Sequence, residues 1–175
     1  MRVVEGTADI DNVGAFVETL SAIGDRYGVT VQAFDARYVV DRAHLELAVD
    51  LATRARERGD AIAEDFGVEI LLYAAGRRQI NRALTMGVSE GACPVVAVVV
   101  DRERTGSHVG KSEQNGIETA AEDVREQLTP TSTLGEYDDD RVRAFFDVTD
   151  TELAATAGGL PDAARERVAL LPVEK

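Results

Sequence analysis

Apolar residues recur along the chain in two periods, and each change of period marks an element. The β-branched "RVVEGTA" predicts a short strand over Arg2 to Thr7; "DNVGAFVETLSAIGDRYG" then spaces Val13, Phe16, Val17, Leu20 and Ile23 as one helix face. Asp11 is placed to cap that helix and Gly28 to stop it. "VTVQAF" alternates Val29, Val31 and Ala33, the signature of a half-buried strand. From Asp41 to about Arg58, Leu45, Leu47, Val49, Leu51 and Ala52 line a helix whose end carries Arg54, Arg56 and Arg58, as a helix dipole favours.

"DAIAEDFGVEILLYAA" predicts a further helix with Ile62, Phe66, Ile70 and Tyr73 on one stripe and Gly76 just past its end, where a positive φ is cheap. A short helix over Gln79 to Met86 follows. In "CPVVAVVVD", Val95 to Val100 form an unbroken apolar run, which predicts a strand covered on both faces. "KSEQNGIETAAEDVREQL" predicts a helix in its second half, Thr129 to Thr133 a loop, "LGEY" an edge strand, and Asp140 to Ala157 and Pro161 to Leu171 two last helices. No repeat or linker interrupts this order. The reading is a single α/β domain over 1–175, bordering on α+β, with a small mixed central sheet of about three to four strands packed with several helices.

With 45% apolar residues, 175 residues suffice for an ordinary core without staples. No apolar run reaches the roughly 18 residues of a membrane span, and the start lacks a signal peptide's apolar stretch, so a soluble cytoplasmic protein with no membrane partner is expected. One cysteine, Cys93, and two histidines, His44 and His108, offer neither an internal disulfide nor a zinc-ligand spacing. The 32 acidic residues outnumber 19 basic ones, and only Lys111 and Lys175 of the latter are lysines. That composition suits a cytoplasm holding near-molar salt, where surface carboxylates keep a protein hydrated, and it predicts a halophilic host.

Few stretches carry recognisable chemistry. "TGSHVGKS" ends like a phosphate-binding loop, but Gly106 and Gly110 bracket only Ser107, His108 and Val109, one residue short of that motif. A nucleotide- or phosphate-ligand enzyme using Gly110, Lys111 and Ser112 stands as the alternative reading, against a polar loop. Asp138 to Asp140 precede "RVRAFF" and read as helix-capping charge. His44 reads as structural and Cys93 as a buried filler. No catalytic constellation and no cofactor or small-molecule substrate is implied.

The stretch "LLYAAGRRQINRALTMGV" stands apart, because Arg77, Arg78 and Arg82 crowd a glycine in an acidic chain. The plain reading is surface arginines paired with Glu64, Glu69 or helix carbonyls. The functional one is a corner: Gly76 permits a sharp turn, the next helix opens with free N–H groups, and the arginines add charge. A phosphate or single-stranded nucleic-acid end fits such a corner, with Tyr73 or an arginine plane for base stacking and Gly76, Gln79 and Ile80 for backbone and apolar contact.

Three segments, "DARYVVDRAHLELAVDLA", "EILLYAAGRRQINRALTMGV" and "CPVVAVVVD", resemble the small kinase-binding subunit of the KEOPS (EKC) complex, the family of human TPRKB. The closing "LAATAGGLPDAARERVALLPVE" is similar as well, so the likeness spans most of the chain. The polar segment near 102–114 fits poorly and reads as a variable loop. The resemblance implies a noncatalytic subunit of the complex that makes threonylcarbamoyladenosine at position 37 of tRNA. In archaea such a subunit binds and stimulates the kinase/ATPase subunit, meets other subunits through it, and recruits tRNA by its CCA 3′ end. Gly76, Arg77, Arg78, Gln79, Ile80, Arg82 and Tyr73 are then the tRNA-binding candidates, and the apolar Val168, Leu171 and Val173 near the terminus the kinase-binding ones.

Overall fold

A computed structural model describes residues 1–102 and 111–173. The chain divides into two compact units, Met1–Asp35 with Val88–Thr133 and Ala36–Gly87 with Leu134–Lys175. The first is built on strands β1 (Arg2–Ile10), β2 (Val29–Asp35) and β3 (Gly91–Asp101) with helices α1 (Val13–Tyr27) and α5 (Lys111–Glu126). The second holds α2 (Arg42–Arg58), α3 (Phe66–Ala75), α4 (Ile80–Ala83), α6 (Asp139–Phe146), α7 (Asp150–Ala155) and α8 (Gly159–Leu170).

In the first unit the strand order is β1-β3-β2, and β3 is central because its valines tolerate burial on both faces. The expected strand count and class hold, but both pairings are antiparallel where a mixed sheet was expected. β1 and β2 run alike and flank a strand that arrives only at residue 91, so the α1 crossover does not place them side by side. Val4, Val95, Ala97 and Val99 form one core with Leu20 and Ile23 of α1 and Ala120, Ala121 and Val124 of α5. β1 runs past Thr7 to Ile10, and Asn12, not Asp11, caps α1 by accepting from the Ala15 N–H at 2.9 Å. Gly6 is required there: a Cβ would stand 2.7 Å from the Thr129 carbonyl, where Thr7 and Thr129 exchange backbone bonds of 2.9 and 2.8 Å. α5 fills the first half of its predicted segment too, and 103–110 of the variable loop, with Gly110, lie outside the described residues.

The second unit is helical. α2 packs on α3 and α8, and α8 on α6 and α7, around the fully buried Leu45, Ile70, Leu72, Phe146 and Leu171. Asp41 caps α2 by accepting from the His44 N–H at 2.8 Å and also receives the Arg165 guanidinium. Three expectations give way here. Residues 60–65 stay non-helical because the buried Glu69 accepts from the N–H groups of Ile62, at 3.1 and 3.0 Å, and of Ala63, at 2.7 Å. "LGEY" is a turn with Gly135 at φ 90°, not an edge strand. Asp140 to Ala157 is two helices, broken where Asp147 takes φ 53° and Thr149 caps anew through the Glu152 N–H.

Candidate functional site

Helices α2 and α3 end in the same way. Each closes on a left-handed glycine, Gly59 at φ 75° and Gly76 at φ 60°. Each also makes the paired bonds of a Schellman motif: Asp60 to Ala55 with Gly59 to Arg56, and Arg77 to Leu72 with Gly76 to Tyr73, all 2.8–3.1 Å. Gly76 is also held close to α8, where an added Cβ would stand 3.2 Å from the Arg167 carbonyl. The turn therefore sends Arg77 and Arg78 apart.

Arg77 turns inward, its side chain only 16% exposed. One guanidinium nitrogen donates to the Phe145 carbonyl at 2.5 Å and reaches Asp147 at 3.4 Å, and the plane lies 5.3 Å over the Phe145 ring. Arg167 donates beside it to the Phe146 carbonyl at 3.1 Å. Together the two arginines satisfy the orphan carbonyls at the α6 terminus and its negative dipole end. Arg77 is thus a structural cap, which corrects its placement among residues available to a nucleic acid.

Arg78 is exposed and borders a cavity of about 520 Å³ with Leu51, Arg54, Ala55, Arg58, Asp60, Tyr73 and Pro172. Arg54 and Arg58, one helical turn apart, share one face of α2, and Arg56 points elsewhere, over the Phe66 ring at 4.8 Å. Arg54 pairs with Asp50 at 2.9 Å and Arg78 donates to the Leu171 carbonyl at 3.3 Å, whereas Arg58 forms no ion pair with a described residue. Tyr73 is 4% exposed, and its hydroxyl makes no hydrogen bond with a described residue. Burial first, then Glu69, pushes the phenol above its ordinary pKa against the opposing pull of Arg78, so it stays a neutral donor. Such burial leaves the ring as part of the cleft wall, not as an open stacking platform.

Of the sequence candidates, the cleft collects Tyr73 and Arg78, with Gly76 forming the turn between them. Gln79, Ile80 and Arg82 are exposed on the segment that follows and line no part of it. Helix α4 has four residues, too few for the anion-binding helix start that the sequence implied. Arg54 and Arg58 were missed as cleft residues because arginines near a helix end are explained by the dipole alone. Their four-residue spacing beside Leu51 and Ala55 was the available signal.

Two of the three kinase-surface candidates are corrected. Val168 is 0% and Leu171 1% exposed, because the apolar stripe of α8 and the residue just past its end face the core of the second unit; Val173 is 72% exposed and Leu170 40%. His44 is structural: Nδ1 accepts from the Val40 N–H at 3.4 Å, so Nε2 carries the proton and donates to the Ala74 carbonyl at 2.7 Å. Cys93 is buried in the first core, and Lys111 and Ser112 are exposed in the first turn of α5.

The family model described as kinase binding protein CGI-121 matches residues 8–171, nearly the whole chain. Among curated proteins no match is found.

Proposed function

The chain belongs to the CGI-121 family of kinase-binding proteins, and we propose that it is the noncatalytic, cytoplasmic subunit of a KEOPS-type complex, stimulating the kinase/ATPase subunit and recruiting tRNA by its single-stranded CCA 3′ end. The observation that carries the RNA half is the arginine cleft. Its volume of about 520 Å³ lies within the roughly 300–1,000 Å³ typical of ligand pockets. Arg54, Arg58 and Arg78 offer planar, permanently charged donors to phosphate oxygens. Tyr73 and the side chains of Leu51 and Ala55 provide an apolar wall for a base or ribose.

A cleft, unlike an open basic surface, admits a free chain end and rejects the body of a helix. The kinase half rests on the family and on the α8 terminus, where Leu170 and Val173 leave apolar surface uncovered. Gel-shift titration with tRNA, with and without its last three nucleotides, tests the RNA reading. Truncation and the double change Arg54→Glu with Arg58→Glu should each abolish the shift in a folded protein. Equal affinity of the intact and truncated tRNA for the parent would overturn the assignment.

A further inference from the structure

The cleft contains one group that phosphate binding does not call for. Asp60 lines it with Arg54, Arg58 and Arg78, yet forms no ion pair with a described residue. Its place is fixed from both sides. Before it, Gly59 turns left-handed and the Asp60 N–H donates to the Ala55 carbonyl at 2.8 Å. After it, the segment is tied down by Glu69, 0% exposed, which takes the Ile62 and Ala63 N–H groups.

A carboxylate only accepts hydrogen bonds and repels a phosphate, so whatever part of an RNA faces Asp60 must be a donor. The donors of RNA are ribose hydroxyls and the exocyclic amines of bases. Amines occur along the whole chain and would not select an end. Two adjacent hydroxyls with no phosphate between them occur only on the last ribose, and they match the two oxygens of one carboxylate. Every internal ribose would bring a 3′-phosphate against Asp60.

Taking the cleft as the RNA-end site of the preceding reading, we propose that Asp60 reads the free 2′,3′-diol of the terminal ribose while Arg54, Arg58 and Arg78 hold the phosphates that precede it. Asp60 is then a specificity-determining residue: the cleft accepts an unmodified 3′ end and rejects one that is phosphorylated or lacks the 3′-hydroxyl.

Four forms of one tRNA test this in binding titrations with the full chain: ends in CCA with a 3′-hydroxyl, a 3′-deoxyadenosine or a 3′-phosphate, and a form lacking CCA. A lost hydrogen bond to a charged group weakens the 3′-deoxy end about tenfold, and repulsion weakens the 3′-phosphate end at least as much. In Asp60→Asn the phosphate and hydroxyl ends should bind within about threefold of each other, since the repelling charge is gone. Equal affinity of the parent for all three CCA ends, with binding lost when CCA is removed, would overturn the diol reading and leave the cleft as an RNA-end site. Indifference to removal of CCA would overturn the RNA-end reading itself. A parent that ignores the 3′-deoxy change while Asp60→Asn weakens every end equally would mean that Asp60 meets a base amine, which also refutes the proposal.

Discussion

Arg77→Ala should destabilise the protein and leave RNA binding nearly intact, the reverse of what an arginine beside an RNA end would do. The charge-assisted bond to the Phe145 carbonyl, 2.5 Å long and made by a side chain only 16% exposed, contributes about 1.5–3 kcal/mol. The stacking over the Phe145 ring at 5.3 Å adds about 0.5–1 kcal/mol. Asp147 is 77% exposed, so its pairing at 3.4 Å is worth only a few tenths of a kcal/mol at most. The loss is therefore about 2–4 kcal/mol, which lowers the melting temperature by roughly 5–15 °C.

Arg58→Ala is the matched control. It removes no ion pair with a described residue, so its stability should stay within about 0.5 kcal/mol of the parent. Melting followed by circular dichroism and tRNA titration below the transition should then separate the two: Arg77→Ala melts early and binds, Arg58→Ala melts normally and binds poorly. A melting temperature for Arg77→Ala within about 2 °C of the parent, with tRNA affinity lost as in Arg58→Ala, would refute the cap. The same logic makes a joint charge reversal of Arg77 and Arg78 ambiguous, because it breaks the α6 terminus along with the cleft.

Burial holds the His44 imidazole below its ordinary pKa of 6.5, so the unfolded chain binds more protons than the folded one below that value; stability should be flat above about pH 7.5 and fall between 6.5 and 5.5 by up to about 1.4 kcal/mol per pH unit. Melting curves across that window check it, and a flat profile would contradict a neutral buried imidazole. Leu171→Glu places an unpaired charge at a 1% exposed position and should prevent folding of the second unit, whereas Val173→Glu, at 72% exposure, should fold and lose kinase in a pull-down; retention of kinase by folded Val173→Glu would move the interface elsewhere. Binding of tRNA should show a shallow dependence on KCl, equivalent to about one to three phosphates, because the proposed site takes only a chain end; a steep slope would mean contact along the tRNA backbone.

Helix existence was legible wherever a cap and an apolar stripe agreed. Gly28 and Gly76 mark ends that local chemistry alone decides. The larger failures have a different origin, in side-chain hydrogen bonds that apolar periodicity does not encode. Ile62 fits a helical stripe, but Glu69 seizes its N–H and that of Ala63 and holds the segment open. The break at Asp147 has no glycine or proline to announce it, and two arginines from elsewhere, Arg77 and Arg167, satisfy the carbonyls it exposes. Arg77 and Arg78 are neighbours with one side chain chemistry, and only α6, nearly 70 residues on, distinguishes a cap from a cleft wall. Val168 and Leu171 looked like surplus apolar surface because the helices they pack among had not been brought together.

The charge distribution explains why composition concealed the site. Residues 36–87 hold eight acidic residues and eight arginines, so a chain of net charge −13 carries its whole excess outside this stretch. Local neutrality gives no far-reaching positive field, and in molar salt a field would reach only about 3 Å in any case. The RNA-end site proposed above would rely on contact there: guanidinium planes against phosphate oxygens, an apolar wall, and a carboxylate placed to accept from a hydroxyl. Such a site must be concave, since exclusion of salt and water from between the partners is what gives these contacts their strength. Its arginines flank two helix ends that each close on a left-handed glycine, Arg54 and Arg58 before Gly59 and Arg78 after Gly76, and no count of charges along the sequence could have joined them.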